Sequence, residues 1–260
     1  MDTQTLSPDA LSVIDHYLHF HVGPAVCSIP YFNNKTVRAR GALGISVGKG
    51  SPKEITDEVN MLIFKHHIDS NALTNDSLKK FLVDRNIGID CSGFAYHILN
   101  SESRARNKDG LKKRIAFTRA RGLVGRIMAK MSPVKNTDVA TLADNENSRI
   151  IAIGEVMPGD MIIMIQETTD DERNHILVVH EVERVDSKPT VIHYSHAIAY
   201  PEDGLYGSGM KQGTIEIADP TGSLFQQLWK EGGMIEGASN IFTRARGSRT
   251  ELRRLKWLYS

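Results

Sequence analysis

The chain has 260 residues, 40% hydrophobic and 24% charged, with 32 Lys and Arg against 31 Asp and Glu. That length supports one large or two small domains with a true core, and a net charge of +1 excludes a uniformly basic nucleic-acid binder. Two cysteines exclude a disulfide framework and a four-cysteine zinc site, and no apolar run approaches the ~18 residues of a membrane span.

The first residues are polar and acidic, without the basic and apolar regions of a secretory signal, so a cytoplasmic protein is expected. Residues 1–74 read as a helical N-terminal region. Ser7-Pro8-Asp9 is a capping sequence, with Leu11, Ile14, Tyr17 and Leu18 at helical spacing behind it. A Gly-rich stretch from Gly41 to Gly50 breaks the pattern. Ser51-Pro52-Lys53-Glu54 then forms a capping box ahead of Ile55, Val59, Leu62 and Ile63. A further helix is predicted over 75–86, stopped by Gly88, and a short one from Cys91 to about Leu99 that buries Phe94, Ala95, Ile98 and Leu99.

Residues 101–148 change in composition. As far as Lys135, the basic residues face only Glu102 and Asp109, which marks a basic helical insertion. Gly122 and Gly125 each weaken a helix there by roughly 1 kcal/mol relative to Ala. A solvated helical face is the first reading of this segment. An anionic partner (nucleic acid, teichoic or lipid phosphate, an acidic protein) is the second. Phe117 is its lone aromatic, so base stacking, and with it nucleic acid, is disfavoured.

From Arg149 the period becomes strand-like: 150–153, 161–165 after the turn Pro158-Gly159-Asp160, 175–182, 191–197 and 214–218. Residues 223–260 read as a basic C-terminal extension carrying Arg244, Arg246, Arg249, Arg253, Arg254 and Lys256. Helices followed by a strand meander predict an α+β domain with an antiparallel sheet.

Asp90-Cys91-Ser92-Gly93-Phe94, followed by an apolar helical pattern, is the most specific segment. A cysteine in the first turn of a helix meets free backbone N–H groups and the positive dipole end, which favour a thiolate. Asp90 caps that helix, and Gly93 permits close approach of another chain or a substrate. Cys27, in an apolar setting, reads as a small core residue.

The pentapeptide resembles the NlpC-type branch of papain-like cysteine peptidases, best known as bacterial cell-wall endopeptidases. The resemblance extends over roughly 75–220, through Gly159-Asp160 leading into a strand, His175 opening the next, and His193 on the strand after. It implies a papain-like catalytic domain over 75–222, interrupted by the insertion 101–148. It also implies Cys91 as nucleophile, His175 as base and His193 as the orienting residue, with Asp90 and Ser92 supporting the oxyanion region. Three departures stand out: a longer spacing between Cys91 and Gly159, Ile176-Leu177-Val178 in place of Gly-Ile-Tyr, and no tyrosine in the stretch just before Cys91 to complete the oxyanion site, where Phe81 stands without a hydroxyl.

Strand period supports the pairing independently. His175, Leu177 and Val179 share one face, and Val191, His193 and Ser195 share one, so neighbouring strands would bring His175 and His193 together. His196 points the other way and ranks below His193, as does His180. The expected function is cysteine-dependent hydrolysis of an amide in a peptide or peptidoglycan-type substrate, without metal or cofactor. The alternatives are acyl transfer through the same thioester, or a non-catalytic module binding an anionic partner. His16, His19 and His21 lack carboxylate or thiol partners at ligand spacing, and His66-His67 face different directions. Asp170-Asp171-Glu172 reads as a solvated turn, and Gly48-Lys49-Gly50 falls short of a phosphate-binding loop.

Overall fold

A computed structural model describes residues 2–33, 44–107, 109–166, 174–231 and 240–259. Gly41 and the Asp170–Glu172 turn lie outside the described residues. In chain order the first part forms β1 (Asp2–Thr5), α1 (Pro8–Leu18), β2 (Phe20–Val22), β3 (Ala25–Cys27), α2 (Pro52–Lys65), α3 (Asn75–Asp84) and α4 (Cys91–Asn107). Next come α5 (Leu111–Arg114), α6 (Gly122–Met131), α7 (Pro133–Asn136) and α8 (Val139–Ala143). The remainder is β4 (Ser148–Ile150), β5 (Met161–Ile165), β6 (His175–Val185), β7 (Lys188–Ile198), α9 (Gly204–Gly207), β8 (Gly209–Glu216), β9 (Leu228–Glu231), α10 (Asn240–Arg246) and β10 (Arg249–Leu255). The class is α+β, with 43% helix and 27% strand.

Local signals account for the helices. Ser7 accepts the Ala10 N–H, and Ser51 and Glu54 exchange both bonds of a capping box. The third helix begins from Thr74, which caps with Ser77, and stops at Asp84; the left-handed residue beyond it is Asn86, not Gly88. α4 runs well past Leu99. Buried Glu102 on its far turns accepts the Ser7 N–H at 2.7 Å and pairs with Arg106 at 2.5 Å, tying α4 to the start of α1.

Among the described residues, eight strands form one antiparallel sheet in the order β4-β10-β5-β6-β7-β8-β9, with β1 also pairing β6. Three of these strands correct the expected boundaries. The N-terminal region is not purely helical, since β1 joins the sheet and β2 and β3 form a hairpin. The C-terminal segment is not an extension either. β9 closes one edge of the sheet, and β10 lies inside it between β4 and β5. Arg253 and Arg254 of β10 are accordingly buried. Arg253 binds Ser148, Asn145 and Glu251, while Arg254 makes a two-pronged pair with Asp160 at 2.7 Å on each arm. The predicted strand over 150–153 divides into β4 and a single 3-10 turn, Ile153–Glu155.

The two faces of the sheet are both covered. Ile176, Val178 and Ala197 pack with α1 and α4, whereas Leu177, Val179, Ile192 and Tyr194 pack on the opposite side with Trp229 and Phe242. The N-terminus of α4 meets the first residues of β6, where the Ile176 N–H reaches the Cys91 sulfur.

Candidate functional site

The Asp90–Phe94 segment is held from both sides through Ile89, which bridges to Tyr31 in parallel and to Lys49 in antiparallel fashion. Asp90 Oδ1 accepts the Gly93 N–H at 2.6 Å, the expected cap, and Asp90 N–H donates to the Gly48 carbonyl. Gly48 has φ +72°, and a Cβ there would lie 2.1 Å from the Phe32 carbonyl oxygen. A Cβ on Gly93 would lie 2.8 Å from the Gly48 oxygen. The close approach that Gly93 permits is therefore to the chain's own Gly48-Lys49. That glycine-rich segment braces the head of α4 rather than forming a phosphate loop.

Lys49 is buried beside Cys91. Its ammonium donates to Asp90 Oδ1 at 2.9 Å, to Ser92 Oγ at 2.5 Å and to the Thr137 carbonyl at 3.1 Å. The side chains of Asp90 and Ser92 thus support the site by holding this cation. Asp90 takes the Gly93 and Phe94 N–H groups, so those of Cys91 and Ser92 are the first-turn donors left to an oxyanion.

Cys91 is buried, and burial together with the Asp90 charge pushes its thiol up to about 12, against Lys49, Arg244 and an N–H bond from Ile176 that act downward. Desolvation outweighs the helix terminus, so the resting group is a neutral thiol and not the thiolate that helix position alone suggested. His175 is also fully buried. Burial, then His196 and Arg244, hold its imidazole well below its ordinary value, and it rests neutral. Alkylation of Cys91 by iodoacetamide should therefore rise about tenfold per pH unit from pH 7 to 10, since thiolate fraction limits the rate below the thiol pKa. Mass spectrometry of the Cys91 peptide measures this; a rate that is flat with pH would mean a preformed thiolate.

The Ile176 N–H that reaches the Cys91 sulfur belongs to the residue after His175, so the thiol lies against the opening of β6. From His175 a chain of contacts runs inward. His175 Nε2 and His196 Nδ1 are 2.7 Å apart, and His196 Nε2 lies 2.9 Å from Glu231 Oε2. Tyr200 donates to Glu231 Oε1 at 2.6 Å and Tyr194 to Oε2 at 3.3 Å. Burial pushes the Glu231 carboxyl up, but the bonds from His196, Tyr200 and Tyr194 overcome this and hold it below its usual value. An ionised carboxylate only accepts, so His196 carries its proton on Nε2 and presents Nδ1 as an acceptor. His175 then donates from Nε2, which leaves the lone pair of its Nδ1 free to take a proton.

His193, the expected orienting residue, is elsewhere. Val178 stands opposite Ser195 and Val179 opposite Tyr194, and continuing that register places Ile198 opposite His175. The face His175 occupies is consequently shared by His196 and Tyr194 on β7, and His193 faces the other layer. A bulge at His180 then sets His193 opposite Glu181. The His193 ring bonds Glu183 at 2.8 Å, with Glu181 at 3.5 Å, and His180 bonds Ser195 at 3.0 Å. Glu181, Glu183 and His193 are the one group of three among the described residues whose ligand atoms converge within 4.8 Å, as a metal site requires. His16 instead touches Thr56, and His19 pairs with Asp15. Cys27 lies on β3, half-buried, its thiol pushed up to about 11 by burial.

Tyr31 was missed as a site residue. It lies close enough to Cys91 and Asp90 for their charges to raise its phenol further, after burial, so it stays protonated and able to donate. It comes from sixty residues upstream, through the Ile89 bridge, and not from the stretch just before Cys91 that Phe81 occupies. Arg244 on α10, read as a tail charge, bears on Cys91, His175, Tyr31 and Tyr200. Comparison of the chain with models of protein families, with curated proteins and with solved structures found no significant match.

Proposed function

We propose that the chain is a cysteine-dependent hydrolase of amide bonds. The observation that carries this reading is the buried Cys91 thiol set against the opening of β6, where His175 heads the relay through His196 to Glu231. The sulfur attacks the substrate carbonyl as its proton passes to His175 Nδ1. The developing oxyanion meets the Cys91 and Ser92 N–H groups at the head of α4 and the Tyr31 hydroxyl. His175, now an imidazolium stabilised through His196 by the Glu231 carboxylate, returns the proton to the leaving amine. Water then attacks the thioester, with His175 again as base, and regenerates the thiol. The nearby Arg244 charge favours an acyl group that carries a carboxylate, which suits peptide and peptidoglycan-peptide substrates, the class the NlpC-type resemblance implies.

A peptide aldehyde, a thiol-reactive mimic of the tetrahedral state, tests the assignment. Labelling should occur with the unmodified protein, vanish in Cys91→Ala and persist in Cys27→Ala. Labelling unchanged by Cys91→Ala overturns the proposal.

A further inference from the structure

The helix α6 carries its apolar residues on the wrong side for a soluble fold. Leu123, Val124, Ile127, Met128 and Met131 are 53 to 75% exposed, while small Ala129 faces inward. At ~100° per residue these five span an outward arc of about 140°. Arg126 and Lys130 flank that arc on one side, and Arg121 precedes the helix. None of the three has a carboxylate within ion-pair distance among the described residues. From Gly110 to Thr137 the sequence holds eight Lys and Arg and no Asp or Glu. An apolar cleft of about 300 Å³ opens beside the helix, lined by Ala116, Phe117, Leu123 and Ile127, with Arg126 and Lys130 among its walls.

We infer that α6 is the edge by which this protein lies on an anionic lipid surface, its apolar stripe at the headgroup boundary and its cationic flank against lipid phosphates. An exposed apolar face bordered by cations is the pattern of a helix that lies in the interface plane. The cleft adds an apolar recess under two cations, the shape of an acyl chain below a phosphate. Charge selects this occupant over the others. A second copy docked face to face and antiparallel would set Arg126 and Lys130 against their own kind. A nucleic acid would find the lone aromatic, Phe117, buried. Among the described residues no helix is long and apolar enough to cross a bilayer, so the contact is peripheral. The segment also connects to the site: Thr137, just past α7, accepts the Lys49 bond that braces Cys91.

Co-sedimentation of the full chain with vesicles tests this independently of Cys91. Binding is expected to vesicles of phosphatidylcholine with phosphatidylglycerol, weaker at high salt and weakest to phosphatidylcholine alone. Substituting L123S/I127S/M131S should weaken binding at least about tenfold through lost apolar contact. R126Q/K130Q should weaken it about 25-fold, near fivefold per charge. All five positions are at the surface, so thermal unfolding and peptide-aldehyde labelling serve as controls and should not change. Equal binding by these variants overturns the inference. So does a dimer that L123S/I127S/M131S converts to monomer without any vesicle binding, or binding of an oligonucleotide alone.

Discussion

His196→Ala is expected to lower kcat of the proposed amide hydrolysis by about 10²- to 10³-fold, while His193→Ala should change it by less than about twofold. In the proposed mechanism His196 would act through His175, holding the His175 proton on Nε2 and neutralising, via Glu231, the imidazolium formed as Cys91 attacks. Without it, His175 loses its preferred tautomer and its charge partner, so kcat falls with KM little altered. His193 has its ring between Glu181 and Glu183 on the far face of the sheet and touches none of these groups. The alanine variant leaves Glu231 buried with fewer donors, so thermal unfolding is measured alongside. His196→Gln keeps a donor towards Glu231 while removing the imidazole that passes charge, and should restore stability but not rate. Equal losses in the His193 and His196 variants would remove the relay from the mechanism.

Asp160→Ala destabilises the fold by about 3–5 kcal/mol, as does Arg254→Ala, whereas Asp160→Leu combined with Arg254→Met recovers most of the loss. The pair is buried between β5 and β10, and its remaining capacity is filled by the Met157 N–H on Asp160 and by the Glu155 carbonyl on Arg254. Burial alone pushes the Asp160 carboxyl up, and Arg254 and the Met157 N–H oppose it. The intact pair roughly offsets its own desolvation. A lone survivor does not, which is why single and double variants differ in urea unfolding. If the double variant were as unstable as the singles, packing and not the stranded charge would be the cause.

The site was legible where chemistry is written in neighbouring residues. The cap from Asp90, the helix after Cys91, and His175 at the start of a strand all follow from residues within a few positions of one another. The third group was not legible. Strand alternation tells which residues of one strand share a face but not which face of the next strand they meet. That is fixed by the pairing of Val178 with Ser195, and a shift of one residue exchanges His193 for His196. Glu231 had no local signal at all, since it reaches His196 only because β8 and β9 add successively to β7. Lys49 and Tyr31 join the site through single bridges to Ile89, 40 and 58 residues away in sequence.

Capping boxes, apolar periodicity and the Asp90–Phe94 pentapeptide, all short-range physics, were determined by the sequence alone. So was the concentration of positive charge between Gly110 and Thr137. Tertiary structure decided which charges remain in water. It buried Arg253 and Arg254 in β10, leaving α6 as the exposed cationic element with apolar residues facing out. It also decided the state of the thiol. A helix N-terminus favours the thiolate only modestly and locally. Enclosure between α4 and β6 removes the water that would solvate that charge, and the loss of solvation prevails.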